Sequence, residues 1–193
     1  MRMTDSRVGR GQPVKVEEVL GRQLNDVEKK YAPPTLYAMG AIELPIPSPR
    51  VAIVGTREPS STGVDTAYAL AKYFAAKDVA VISGLARGID TAAHLGAIEN
   101  GGKTIAVLGT PLDRSYPPQN AGLQKLIAKG HLVLSQFASE HSTQRKDFVL
   151  RNRTMALLCD ASITISAGHL SEGMSKIVCQ MNKCLPSLRA SHP

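Results

Sequence analysis

Four arginines stand where they could hold a phosphate: Arg57, Arg87, Arg151 and Arg153. The guanidinium is a planar, permanently charged fork that pairs with phosphate through two parallel hydrogen bonds. Between residues 141 and 153 there are four Lys and Arg side chains and Asp147 as the one carboxylate, so internal pairing leaves cations over. Arg87 lies in the stretch Ser83-Gly84-Leu85-Ala86-Arg87-Gly88-Ile89-Asp90. Two glycines there let the backbone come close to a ligand, and a helix starting after them would offer free N–H groups to an anion. The chemistry these residues suit is anion binding. An ordinary tight strand-to-helix turn has the same composition.

The elements that must position them follow from hydrophobic periodicity. Val79-Ala80-Val81-Ile82 is a short β-branched run, as in a buried strand, and Ile89, Ala92, Ala93, Gly96 and Ala97 then recur on one helix face. The same alternation repeats along the chain. Strands are expected at Val51–Gly55, Val79–Ile82, Thr104–Leu108, His131–Leu134 and Ala161–Ser166. Helices are expected after Gly63, after Gly88, over Gly122–Lys129, over Phe148–Leu158 and over Gly173–Asn182. Apolar strands alternating with helices give an α/β fold: a Rossmann-like, doubly wound, mainly parallel sheet with helices on both faces. Ligands of such folds lie at the carboxyl ends of the strands. Gly55, Thr56 and Arg57 fall on that edge, with Ser83, Gly84, Arg87 and Gly88 beside them. So do the loops Asp113–Asn120 and Ser135–Arg145, while Arg151-Asn152-Arg153 is expected at the start of its helix.

Upstream the pattern is looser. Residues 1 to about 14 are polar and read as frayed. Lys15 to Lys30 reads as one short helix with Val16, Val19, Leu20, Leu24 and Val27 as its stripe. Five prolines follow between Tyr31 and Arg50, around a short extended stretch, Thr35–Gly40. The expected organisation is a tail and helix (1–30), a proline-rich lead-in (31–50) and the Rossmann-like domain (51–193).

A net charge of +7 on 193 residues favours an anionic partner such as nucleic acid. The three cysteines, Cys159, Cys179 and Cys184, form no CxxC pair and read as reduced core thiols. No signal peptide or membrane-length apolar run is evident, so a cytoplasmic protein is expected. A nicotinamide-type GxGxxG after the first strand is missing, as is a GxxxxGK[ST] loop. Asp90 and His94, four residues apart, could form an acid–base or metal pair, but a local Asp–His hydrogen bond fixing the first turn is the expectation. Neither a metal nor a cofactor is expected. Tyr116 and Phe148 could stack on bases or pack in the core.

Together these stretches resemble the DNA processing protein A (DprA, or Smf) family. The resemblance rests on Val51–Arg57 (VAIVGTR), on Ser83–Asp90 with Ala92, Ala93 and His94, and on Ile105–Gly109 with Leu112-Asp113, Tyr116-Pro117 and Asn120. It rests also on Phe148–Arg153 (FVLRNR) and on Ala161–Ser166 leading to Ser171. Pro34-Thr35-Leu36-Tyr37 and Gly40 look like the family's lead-in. The resemblance implies a Rossmann-like domain that binds single-stranded DNA without strong sequence preference. It implies a role in natural transformation and recombination, help in loading RecA, a homodimer, and no catalytic turnover. The implied DNA-binding residues are Gly55, Thr56, Arg57, Ser83, Gly84, Arg87, Gly88, Asn120, Arg151, Asn152 and Arg153. A nucleotide-binding or nucleotide-hydrolysing enzyme on a related scaffold is the alternative, although the PGGxGTxxE string of nucleotide phosphoribohydrolases does not occur. The sequence departs from the family's usual pattern at Thr56 (usually Ser), Val149 (usually Pro) and Glu172 (usually Gly).

Overall fold

A computed structural model describes residues 11–165. The chain runs β1 (Gln12–Val14), α1 (Val16–Leu20), α2 (Asp26–Tyr31), β2 (Leu36–Gly40), β3 (Arg50–Gly55), α3 (Ser61–Ala75), β4 (Ala80–Ser83) and α4 (Ile89–Glu99). It continues through β5 (Thr104–Leu108), a short 3-10 turn (Pro118–Asn120), α5 (Ala121–Gly130), β6 (Leu132–Ser135), α6 (Arg145–Leu158) and β7 (Ala161–Ile165). The strands form one seven-stranded sheet in the order β1-β2-β6-β5-β4-β3-β7. The five strands from β3 onward are mutually parallel, and β2 joins antiparallel to β6. This is the expected Rossmann-like architecture.

Strand alternation divides the core between the two faces. Ala52, Ile82, Ile105, Val107, Leu132 and Leu134 point into the layer filled by α1 and α6. Val51, Ile53 and Val81 face α3 and α4, while Ala106, Leu108 and Val133 face the layer that includes Ile127 of α5. Each fully buried Val, Leu or Ile contributes about 1.5–3 kcal/mol of transfer free energy. The predicted stripe of α4 is buried throughout. It packs on α3 through small residues. A Cβ added to Gly96 would press on the Tyr68 carbonyl and the Ala71 methyl, so close helix contact requires glycine there.

Three expectations need correction. Lys15–Lys30 is two helices, because the chain turns at Gly21 in the left-handed region (φ 70°) and restarts at an Asn25/Glu28 capping box. Val27, assigned to the buried stripe, is therefore 58% exposed. Within the segment read as frayed, Gln12–Val14 pairs antiparallel with Leu36–Ala38. Finally, α6 begins at Arg145 and not Phe148, because Gln144 and Asp147 form a capping box, so Arg151 and Arg153 sit mid-helix. The expected helix Gly173–Asn182, Glu172, and the thiols Cys179 and Cys184 lie outside the described residues. Cys159 is a buried free thiol whose pKa burial pushes up to about 12. Among the described residues no helix is long and apolar enough to cross a membrane.

Candidate nucleic-acid interface

The carboxyl ends of β3, β4 and β5 open on a cleft of about 240 Å³. Arg57 reaches it from the β3–α3 loop, and Gly84, Ala86 and Arg87 come from the turn after β4. Tyr116 to Gln119, from the β5–α5 loop, make a second wall, and α6 supplies Phe148 and Arg151. No Asp or Glu is in the lining.

The turn after β4 is built from inside. Asp90 accepts hydrogen bonds from the backbone N–H groups of Gly84 and Ala86, both at 3.2 Å. Asn120 donates from Nδ2 to the carbonyls of Leu85 and Ala86, at 2.9 and 3.2 Å, and to Thr91 Oγ1 at 3.0 Å. These contacts hold Leu85, fully buried, in the left-handed region at φ 59°. Gly88 has φ 77°, and a Cβ there would meet Pro59 and the Thr56 carbonyl. The Gly84 and Ala86 amides are engaged by the chain's own carboxylate. The charged side chains left in the cleft lining are Arg57, Arg87 and Arg151.

Arg151 forms the floor. It is 5% exposed, and Nη1 donates to the Val107 carbonyl at 3.0 Å. Its guanidinium lies where a side chain at residue 84 would stand. Burial lowers its pKa, opposed by the Asp90 charge and reinforced by Arg57. Burial likewise raises the Asp90 pKa, against the pull of Arg151 and the two amides. The rim is exposed. Arg87 stands 4.0 Å from Glu58, and Arg57 lies 5.8 Å from the centroid of the Phe148 ring. Tyr116, half exposed, packs against Phe148 with centroids 5.0 Å apart and planes tilted by 49°.

The predicted residues thus separate by place. Arg57, Gly84, Arg87 and Arg151 line the cleft. Gly55 lies behind it, where a Cβ would meet the Ile165 carbonyl and Ile89. Thr56 shapes its loop by accepting from Glu58 N–H at 3.2 Å. Ser83 is sealed, its hydroxyl donating to the Ile53 carbonyl at 2.6 Å. Gly88 and Asn120 shape the turn. Asn152 and Arg153 are outside the lining, and Arg153 is exposed on the outer face of α6. The wall residues Ala86 and Pro117 to Gln119 were not named as binding residues from the sequence, although Ala86 lies in the Ser83–Asp90 turn and Pro117 to Gln119 in the Asp113–Asn120 loop, both expected at the carboxyl edge. The expected Asp90–His94 hydrogen bond is replaced by separate partners, since His94 Nδ1 pairs with Thr104 Oγ1 at 2.7 Å. Among the described residues no group of three or more His, Cys, Asp and Glu side chains is placed to hold a metal.

The family model for DNA recombination-mediator protein A matches residues 16–182. DNA processing protein DprA of Streptococcus pneumoniae is 42% identical over 136 residues, covering 70% of this chain and 48% of that protein. The chain thus spans about half the length of this relative, and the matched part of protein Smf from Synechocystis is 35% of its length at 39% identity over 70% of this chain. Among solved structures, the pneumococcal DprA superposes with a TM-score of 0.67 at 27% identity, covering 92% of this chain and 70% of that one. DNA processing protein A from Helicobacter pylori, whose structure describes a single-stranded DNA binding mode, superposes at 0.68 with 26% identity over 90% of this chain and 77% of that one. With the strand order, the two arginine loops and the FVLRNR helix in place, the chain belongs to the DNA recombination-mediator protein A family.

Proposed function

We propose that this chain is a single-stranded-DNA-binding accessory protein of DNA processing, acting in natural transformation and recombination. The strand lies at the carboxyl edge of the sheet. Arg57 and Arg87 hold phosphates at the rim, Arg151 supplies buried positive charge beneath them, and Tyr116 and Phe148 present rings to bases. The observation that carries this reading is the convergence of three guanidinium groups and two aromatic rings on a cleft whose lining has no carboxylate. The single-stranded DNA bound by the H. pylori relative supports the ligand class.

Phosphate contacts carry no sequence information, and every base has a π-face, so this chemistry binds single strands with little sequence preference. Each charge-assisted hydrogen bond is worth about 1.5–3 kcal/mol and each stacked base about 1–3 kcal/mol. In this reading the protein binds and presents DNA without turnover. It works as a homodimer and delivers the strand to RecA, roles supported by the family resemblance. Asp90 and His94, both buried, are framework groups and not an acid–base pair.

Titration of labelled oligo-dT over a range of salt tests the proposal. Two or three neutralised phosphates predict a log–log slope of about −1.4 to −2.1. Equal affinity for blunt duplex, or no salt dependence, would contradict it. Nucleotide hydrolysis in a parallel assay would favour the enzyme alternative.

A further inference from the structure

The cleft has two walls from distant parts of the chain, and one buried side chain joins them. The geometry points to Asn120 as a positioning residue that sets the Arg87 wall against the Tyr116 wall. This rests on the DNA-binding reading above. Asn120 ends the short turn that carries Pro118 and Gln119, and it is 8% exposed. Its Nδ2 is committed to three oxygens of the opposite wall: the Leu85 and Ala86 carbonyls and Thr91 Oγ1. Thr91 in turn donates to the Ala86 carbonyl at 2.7 Å. Ala86 is therefore held on both sides, its N–H by Asp90 and its carbonyl by Asn120 and Thr91. Arg87 is the next residue.

A left-handed leucine persists only where its surroundings over-determine it. At Leu85 that constraint comes from the Asn120 and Asp90 contacts on either side of the bend. A phosphate-binding Asn would direct its amide into the cleft. Here the Nδ2 donors are used up within the protein, and their effect on DNA passes through Arg87.

The prediction separates a positioning residue from a ligand. Asn120→Ala weakens oligo-dT binding about tenfold, the scale of one or two lost hydrogen bonds. In an Arg87→Ala background the same change costs less than twofold, because the residue it positions is gone. In an Arg57→Ala background it keeps its full cost. Full additivity with Arg87→Ala would overturn the assignment.

Hydrogen exchange on the free protein gives a readout independent of DNA. Asn120→Ala should speed exchange at Gly84–Gly88 and at the non-proline residues of 114–119, leaving β5 protected. Unchanged exchange at Gly84–Gly88 would overturn the proposal even if binding falls. Should Asn120→Ala fail to fold, Thr91→Val, which removes one hydroxyl of the same frame, must show the same pattern. Wild-type protein that does not bind oligo-dT would sink the DNA reading, while the exchange result would still decide the role of Asn120.

Discussion

Lowering the pH below neutrality should destabilise this protein through His94 in particular. The ring is fully buried in α4, and Nδ1 meets Thr104 Oγ1 at 2.7 Å. The Thr104 hydroxyl donates to the Val81 carbonyl at 3.0 Å, so the imidazole must be the donor from Nδ1. Nε2 is then a bare acceptor, buried with no partner. A proton placed there would be a charge without an acceptor. Burial, aided by the fields of His131 and Arg151, lowers the pKa from 6.5 to about 3. Above pH 6.5 neither folded nor unfolded chain binds this proton, and the contribution is constant. Below it the unfolded chain takes up a proton that the folded chain refuses, so stability falls until about pH 3. At pH 5 the loss is about 2 kcal/mol, a Tm decrease of about 4–8 °C for a domain of this size. His131, half-buried and also shifted down by burial, acts in the same direction. Thermal melts from pH 7.5 to 5 on wild type and His94→Asn, which keeps a donor near Nδ1, give the comparison. The variant should lose most of the pH dependence. Parallel profiles for the two proteins would refute the assignment.

Gly84→Ala places a methyl group where the Arg151 guanidinium lies, displacing it from the Val107 carbonyl. The lost charge-assisted bond predicts a destabilisation of about 1.5–3 kcal/mol in urea titrations, with weaker DNA binding. An unchanged midpoint would show that Arg151 is free to move. Glu58 is the rim carboxylate nearest Arg87, and both are exposed. Glu58→Gln should therefore tighten oligo-dT binding about two- to fivefold at low salt, with the gain fading as salt rises. Weaker binding would mean that Glu58 helps to hold Arg87 in place.

The strands and α4 were legible because their residue types are nearly unambiguous. Val51–Gly55 and Thr104–Leu108 are continuous apolar runs. The small-residue spacing from Ile89 to Ala97 has no other good reading. The carboxyl-edge rule then placed Arg57 and Arg87 together without any knowledge of strand order. What could not be read was three-dimensional bookkeeping of polar groups. Asp90 and Asn120 are 30 residues apart in sequence, and periodicity carries no sign that both serve one bend. Arg151 was expected as a phosphate-holding cation at the start of its helix, yet its buried guanidinium fills the space that Gly84 leaves open, so the glycine serves packing more than ligand approach. The start of α6 was missed because a capping box headed by Gln144 is a weaker signal than one headed by Ser or Asp. Gln12–Val14 contains a proline and is three residues long, so only its partner, β2, defines it as a strand.

The central claim is that DNA binding is localised on the cleft arginines. It is tested most directly by titrating labelled single-stranded DNA against Arg57→Ala, Arg87→Ala and Lys72→Ala. Arg57 and Arg87 are exposed loop residues, and Lys72 is exposed in the last turn of α3, away from the carboxyl edge. All three variants should melt within about 0.5 kcal/mol of wild type. The two loop variants should each lose about tenfold to a hundredfold in affinity, with Lys72→Ala nearly unchanged. Equal losses in all three would mean diffuse electrostatic attraction, and intact binding by both loop variants would contradict the account.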